Sequence, residues 1–237
     1  MNSKTHDDPS GILIVDKEKN MTSHDVVDMV RKRFGIKKVG HAGTLDPNAT
    51  GVLVLLLGKA TKLSQDLSGE DKEYIAMMKL GEKTTSGDST GEITAVKRTE
   101  PTVKSVKDVI TSFIGETEQI PPMVSAKKVN GQRLYKLARK GIEIERKPNK
   151  INIMEIEILG IDIPLVEFRV LSSKGTYIRQ LAEDIGEKLG CGAHLTELRR
   201  TRSGNFSLEA AVSFSDLMKM DKETLNENIT RVQGSKK

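Results

Sequence analysis

The sequence GHAGTLDPNATGVLVLLLGKATKL, residues 40–63, carries the strongest indication of how the chain folds. Its uninterrupted apolar run from Val52 to Leu57 has the length of one strand, which predicts a buried strand. Just before this run Asp46 precedes Pro47, so the aspartate is biased away from helical backbone and the next φ is fixed. The stretch therefore predicts a rigid loop that carries one carboxylate between two apolar elements.

This carboxylate has two interpretations. Asp46 could form an Asx turn that only caps the junction before the strand. Alternatively, the polar cluster Lys174-Gly-Thr-Tyr-Ile-Arg179 begins the clearest helical pattern of the chain, and an arginine there could pair with the carboxylate and keep it ionised. One carboxylate, one arginine and one tyrosine, without a metal or cofactor motif, form a constellation suited to bond exchange at a sugar carbon.

Short strands and amphipathic helices surround the loop. The predicted strands are Gly11–Val15, 52–57, 74–80, 93–96, 151–158 and 166–170, and the predicted helices lie within 22–35, 59–67, 103–113, 134–141 and 178–190. Because these elements interleave without a regular βαβ rhythm, the sequence predicts an α+β fold with a mixed sheet. From about Ser213 onward the polar residues predict a fraying tail.

Composition excludes several classes of protein. A single cysteine, Cys191, cannot form an intramolecular disulfide or a thiolate metal site, and the nearby His194 does not complete a set of zinc ligands. The longest apolar run is far shorter than the roughly 20 residues of a membrane-spanning helix, and the N-terminus shows no secretory signal. The sequence therefore predicts a cytoplasmic protein, without metal, that does not enter a membrane.

Positive charge is concentrated in one segment. The net charge is +5, yet residues 1–100 have equal numbers of basic and acidic side chains, whereas residues 127–150 hold nine Lys or Arg against two Glu. A solvated surface without a partner is one explanation for such a charge run. The other is a binding surface for an anion, since clustered basic residues raise the local concentration of anionic partners.

Six blocks of sequence, in order along the chain, resemble the bacterial TruB family of tRNA pseudouridine-55 synthases. The blocks are GILIVDK, MTSHDVV, the quoted 40–63 stretch, DKEYIAMMKLGEKTTSGDSTGEI, QIPPMVSAKKVNGQRLYKLARKG and SSKGTYIRQLAEDIGEKLGCGAHLTELRRTRSG. The resemblance extends from Gly11 to about Phe206. It implies the pseudouridine synthase fold, a mixed and mostly antiparallel sheet flanked by helices, with the basic segment 127–150 as a thumb insertion that contacts RNA.

The resemblance also implies an activity and a partner. The expected reaction is isomerisation of the T-loop uridine of tRNA to pseudouridine, in which the N1–C1′ bond breaks, the flipped-out uracil rotates, and C5 joins C1′. The expected partner is the T-arm stem-loop, without a cofactor, a protein partner or a membrane, and the chain is expected to be a monomer. Asp46 is expected either to attack C1′ or to abstract a proton, and the sequence does not decide between these roles.

The family's functional residues fall on ten positions here. Asp46 is the expected catalytic carboxylate, Tyr74 the ring that stacks on the uracil and assists proton removal at C5, and Arg179 the partner of the aspartate. The substrate-binding residues implied by the resemblance are His41, which reaches into the T-loop, Tyr177, Leu198, which lines the pocket, Lys17, and the thumb residues Arg133, Arg139 and Lys140.

The same resemblance divides the chain and marks its departures. It predicts a disordered tail at 1–10, a catalytic domain at 11–212, and a short extension at 213–237 in place of the usual C-terminal RNA-binding domain of the PUA type. Glu18 and Asn20 replace a proline and a glycine of the family pattern, and Val124 replaces an aromatic residue near the substrate.

Two alternatives to a stand-alone tRNA enzyme remain. The catalytic subunit of guide-RNA-dependent pseudouridine synthases shares the TSHDVV and GTLDP blocks, and a non-catalytic tRNA-binding or folding protein would need the basic segment but not the chemistry of Asp46. The blocks TTSGDSTGE and GCGAHLTELRR favour the bacterial tRNA enzymes.

Overall fold

The computed structural model describes residues 9–97, 100–125, 127–129, 131–138 and 140–231. The chain divides into two units. The first unit comprises Met1–Glu70 together with Arg200–Lys237, and the second comprises Asp71–Arg199.

The order of elements is α+β, as the sequence predicts. The strands are β1 (Gly11–Lys17), β2 (Val39–Ala42), β3 (Thr50–Leu57), β4 (Lys72–Leu80), β5 (Glu82–Thr84), β6 (Ile93–Val96), β7 (Gly115–Gln119), β8 (Lys128–Val129), β9 (Gln132–Arg133), β10 (Asn149–Asp162), β11 (Leu165–Ser172), β12 (Ala193–Ser203), β13 (Phe206–Ser207) and β14 (Val212–Ser213). The helices are α1 (Ser23–Phe34), α2 (Ser64–Ser68), α3 (Val103–Thr111), α4 (Leu134–Ala138), α5 (Ile178–Lys188), α6 (Phe214–Leu217) and α7 (Lys222–Glu227), and Gly58–Leu63 and Leu208–Ala210 are 3₁₀ turns.

The first unit is built around β1 and β3, which pair antiparallel from Gly11 opposite Leu57 to Lys17 opposite Gly51. Strand β2 pairs with β3 and leads directly into the loop that carries Asp46. Both apolar runs are buried because each side of this sheet is covered, and the residues Ile12, Ile14, Ala42, Val52, Val54 and Leu56 form one core cluster. The predicted buried strands are thereby confirmed.

Helix α1 begins and ends where its capping residues predict. The Thr22 side chain accepts a hydrogen bond from the Asp25 amide, while the Asp25 carboxylate accepts one from the Thr22 amide, which completes a capping box and lowers the pKa of Asp25. Gly35 closes the helix at φ 68°, a left-handed conformation that glycine adopts without strain. Val26, Val27, Val30 and Phe34 form the buried face.

In the second unit, β4, β11, β10 and β7 pair in that order, and all three pairings are antiparallel. Alternate residues of β4, including Tyr74, Ala76 and Met78, are buried, as its period of two predicts. In the first unit, β1 and β14 pair parallel, so the sheet is mixed. No described helix has both the length and the apolar character that crossing a bilayer requires.

The prediction of a fraying tail after Ser213 is wrong for residues 213–231. Strand β14 pairs with β1, and Thr230 exchanges two backbone hydrogen bonds of 2.9 Å with Ile12. Leu217 and Leu225 are fully buried. The sequence gives only a weak signal of this packing because its apolar residues are few and belong to helices of four and six residues.

Candidate active site

The loop between β2 and β3 presents Asp46 half-buried between two buried neighbours, Leu45 and Ala49. The Ala49 amide donates to the Asp46 carbonyl at 3.1 Å, which closes a turn across Pro47. Because the residues on both sides are anchored in the core, the carboxylate sits on a rigid support, as predicted. Rigid support is what a group needs in order to react at a fixed position on a substrate.

Ser23 fixes the residue immediately before Asp46. Its hydroxyl donates to the Leu45 carbonyl at 3.1 Å and accepts from the Leu45 amide at 2.8 Å, and the side chain is 1% exposed. The first residue of α1 therefore holds the loop that carries Asp46, while the Thr22 side chain caps the helix. The sequence carries no local signal for this contact, because Ser23 and Leu45 are 22 residues apart along the chain.

Lys17 holds the other side of the loop from inside the protein. Its ammonium donates to the carbonyls of Glu18 and Met21 at 2.8 Å and of Pro47 at 3.1 Å, and the side chain is 1% exposed. These three bonds use the donors of the ammonium. The structure thus shows Lys17 supporting the loop, and its expected contact with substrate stays a prediction.

Burial lowers the pKa of Lys17 to about 8, and the positive charge of Arg200 acts in the same direction, whereas the carboxylate of Asp46 opposes the shift. The charge of Asp46 therefore acts on the ammonium of Lys17. Burial also lowers the pKa of His41, with Arg200 and His24 as further causes, so His41 is neutral at pH 7. Its Nδ1 is buried and has no hydrogen-bond partner among the described residues.

Because of Lys17, the free energy of unfolding should change with pH in the alkaline range. The folded-state pKa of about 8 lies below the ordinary value of 10.5, so between these values the unfolded chain holds a proton that the folded chain has released. The free energy of unfolding of the wild type, relative to Lys17→Met, should therefore rise with pH across this range, by at most about 1.4 kcal/mol per pH unit. Urea unfolding of both proteins from pH 7 to 10.5 measures the difference, and a difference that does not change with pH would contradict the buried charge.

Arg179, on the first turn of α5, is 3% exposed and connects separate segments of the second unit. Its guanidinium donates to the carbonyls of Ser86 at 2.6 Å and Val124 at 2.7 Å, and its Nε lies 3.6 Å from an Asp88 carboxylate oxygen. Asp88 in turn accepts hydrogen bonds from the Ser86 hydroxyl and the Thr90 amide. The pairing of Arg179 with Asp46 that the resemblance implies stays a prediction.

The two tyrosines also belong to the second unit. Tyr74 is buried in β4, opposite Val170 of β11. Tyr177 is half-buried and precedes α5 as its capping residue, although its side chain makes no cap. The amide group of Gln119 binds the Tyr177 backbone, because its oxygen accepts from the Tyr177 amide at 2.8 Å and its nitrogen donates to the Tyr177 carbonyl at 3.0 Å. Gln119 therefore fixes the backbone of Tyr177.

The remaining predicted residues are spread over the two units. Leu198 is half-buried on β12 and Lys140 is exposed after α4. For Arg133 the structure describes only the backbone, which lies in β9. Arg139 lies outside the described residues. The supporting residues Ser23, Asp88, Gln119 and Arg200 were not assigned to the site from sequence, since each acts through backbone groups or polar side chains that the fold brings close.

Within the described part of the chain, no group of three or more His, Cys, Asp or Glu side chains could hold a metal ion. Cys191, considered above as a zinc ligand, is instead a buried free thiol beside the Gly186 carbonyl. The chemistry available to the described residues is that of a supported carboxylate, buried aromatic rings and buried cations.

Two family models match consecutive parts of the chain. The model of the TruB family pseudouridylate synthase N-terminal domain matches residues 31–178, and the model of the tRNA pseudouridylate synthase B C-terminal domain matches residues 179–232. A protein of Syntrophotalea carbinolica named tRNA pseudouridine synthase B is 51% identical over 217 residues, 90% of this chain and 70% of its own length. The protein of the same name from Protochlamydia amoebophila is 50% identical over 87% of this chain and 79% of its own length.

Solved structures agree on the fold. A chain in a Cbf5-Nop10-Gar1 complex superposes with a TM-score of 0.75 at 33% identity, and covers 94% of this chain and 60% of its own length. A chain in an H/ACA RNP bound to a substrate RNA containing 2′-deoxyuridine gives a TM-score of 0.69, also at 33% identity, over 89% of this chain and 53% of its own length.

Proposed function

The chain belongs to the TruB family of pseudouridylate synthases and acts as a tRNA pseudouridine synthase, and from this premise we propose that its target is the uridine at position 55 in the T-loop of tRNA. The predicted α+β pseudouridine synthase fold is confirmed. The higher identity to tRNA enzymes, about 50% against 33% for the chain found with Nop10 and Gar1, favours a stand-alone enzyme over a guide-RNA-dependent subunit.

The proposed reaction rearranges bonds without a net change in composition. The N1–C1′ bond breaks, the uracil turns within the site, and C5 bonds to C1′. The hydrogen on C5 then leaves as a proton, and N1 takes up a proton. Asp46 initiates the exchange by attacking C1′ or by abstracting a proton from the sugar, and both routes require a carboxylate in a fixed position.

The observation that carries the proposal is the support of Asp46 from two sides. Ser23 binds the backbone of the preceding residue, and Lys17 binds the carbonyl of the following one. An aspartate that served only to cap a strand would need no buried ammonium beneath its loop, because burying a charge is costly unless its hydrogen bonds are satisfied.

Access to the target base requires flipping it out of the T-loop, at a cost of a few kcal/mol in lost stacking. We propose that the Tyr74 ring stacks on the extruded uracil, that Tyr177 and Leu198 form further walls, and that His41 occupies the space the base leaves. The lowered pKa of His41 suits this role, since a neutral imidazole can enter a base stack without carrying a charge into it.

The proposal is tested by incubating the pure protein with an isolated T-arm stem-loop, with and without added guide RNA and without any cofactor. Conversion of the T-loop uridine in both samples supports the stand-alone enzyme. Conversion only with guide RNA would assign the chain to the guided class, and binding without conversion would assign it to non-catalytic tRNA binding.

We also propose that the segment 127–150 binds phosphates of the RNA. Lys140 and Lys147 are exposed. The association constant for the T-arm falls as salt rises, and replacing both lysines with Gln should make this fall less steep. The slope of log K against log salt should become less negative by roughly 0.7–0.9 for each phosphate that a lysine no longer neutralises. Lys104→Gln with Lys107→Gln, two exposed lysines on α3, is the control of equal charge. Filter binding between roughly 50 and 200 mM KCl measures the slope, and equal slopes for both pairs would show that the segment is only a solvated surface.

The location and assembly state complete the proposal. An enzyme that modifies tRNA needs access to tRNA, so we propose that the protein works in the cytoplasm. We further propose that it acts as a monomer and needs no cofactor.

A further inference from the structure

Arg200 is the largest fully buried side chain of the described chain, at 1% exposure. Its guanidinium donates to three backbone carbonyls, from Nε to Val52 at 2.7 Å, from Nη2 to Gly43 at 3.0 Å, and from Nη1 to Thr44 at 3.5 Å. Each of these carbonyls belongs to the loop that carries Asp46 or to the beginning of β3 after it. One side chain therefore joins both ends of the catalytic loop.

The backbone of Arg200 lies against the same loop. A Cβ atom added to Gly51 would lie 2.1 Å from the Arg200 carbonyl oxygen and 2.8 Å from its amide nitrogen, so the two backbones touch. Gly51 also has a φ of 100°, which a residue with a side chain rarely adopts. The required glycine and the buried arginine together fix where the loop enters β3.

Placing a guanidinium in the interior is unfavourable unless it forms strong hydrogen bonds. The guanidinium holds its donors in a rigid planar fork, so it fixes the relative positions of the carbonyls that it binds more strictly than a compact, rotatable ammonium does. A buried arginine that binds backbone carbonyls at the two ends of one loop is therefore suited to fixing the shape of that loop.

We propose that Arg200 is a positioning residue for Asp46, which it holds in the reactive position by tying Gly43 and Thr44 to Val52. This inference rests on the proposed function, because it assigns the effect of Arg200 to the step that Asp46 performs. The field of its charge reaches the same region, since it contributes to lowering the pKa of Lys17 and of His41.

Three variants test the proposal with a T-arm substrate. Arg200→Met removes the three donors and should lower kcat at least about a hundredfold, whereas KM should change less than about threefold because no RNA-binding group is removed. Arg200→Lys keeps the charge but not the fork, and should recover part of the rate. Arg202→Met removes a half-buried arginine of the same strand, whose guanidinium donates to the Gly204 carbonyl, and should leave both constants unchanged.

Urea unfolding at the assay temperature gives the folded fraction, so that kcat is expressed per folded molecule. The proposal would be overturned if Arg200→Met had the wild-type kcat per folded molecule. If Arg200→Met does not fold, the same result in Arg200→Lys would overturn it. Failure of both to fold would also overturn it, since Arg200 would then serve stability. An inactive wild type would overturn the proposed function itself, and with it this inference, whereas an active wild type with active variants overturns the inference alone.

Discussion

Asp46→Asn should abolish pseudouridine formation, with an expected fall in kcat of at least about a thousandfold, and should leave binding of the T-arm within about twofold of wild type. Asparagine has nearly the same shape, so the loop anchored by Ser23 and Lys17 keeps its backbone hydrogen bonds. It has neither the charge nor the basicity to attack C1′ or to accept a proton, and the loss of such a group costs roughly two to six orders of magnitude in enzymes.

The control for this variant is Asp66→Asn, which makes the same change in charge at an exposed position of α2 in the same unit. It should convert the substrate at the wild-type rate. Pseudouridine formation by Asp46→Asn at more than a tenth of the wild-type rate would remove Asp46 from the catalytic role. Loss of RNA binding together with activity would instead place it in substrate recognition.

Arg179→Met should have the second large effect, on both rate and stability. The carbonyls of Ser86 and Val124 lose their donor, and Asp88 loses the cation beside it. Removing one partner of a fully buried ion pair typically costs about 3–5 kcal/mol of unfolding free energy, and this is the upper bound here because only Arg179 is fully buried. We expect kcat per folded molecule to fall at least about a hundredfold as well, because the segments that carry Ser86 and Val124 are no longer tied to α5.

Arg169→Met is the matched control within the second unit. Arg169 pairs with Glu73, Glu155 and Glu157 at the surface of the sheet, so its loss should change stability by less than about 2 kcal/mol and leave kcat unchanged. Urea unfolding and single-turnover kinetics measure the two effects separately. An Arg179→Met protein that is destabilised but has the wild-type kcat per folded molecule would make Arg179 a structural residue only.

The parts of the fold that follow from local sequence were predicted correctly. The apolar runs of β1 and β3 and the alternation in β4 are signals contained in the sequence of each strand. The ends of α1 are marked by the side chain of Thr22 and by the left-handed backbone of Gly35. The loop of Asp46 was recognised for the same reason, since Pro47 restricts its backbone directly.

The groups that support the site could not be found in this way. Ser23 and Arg200 meet the loop of Asp46 only after the chain has folded, and Arg200 lies 148 residues along the chain from Val52 and 157 from Gly43, whose carbonyls it binds. The support that Lys17 gives to the loop was also not foreseen, since its ammonium donates to three backbone carbonyls. Its expected contact with substrate stays a prediction.

In the proposed reaction the target uridine loses the hydrogen on its C5, and this loss can be measured directly. A T-arm transcript labelled with tritium at C5 of every uridine should release one equivalent of tritium per RNA when incubated with the pure protein alone. Sequencing of the product should place pseudouridine at the T-loop uridine. No release, release only in the presence of guide RNA, or release from another position would contradict the assignment of this chain as a stand-alone T-loop pseudouridine synthase.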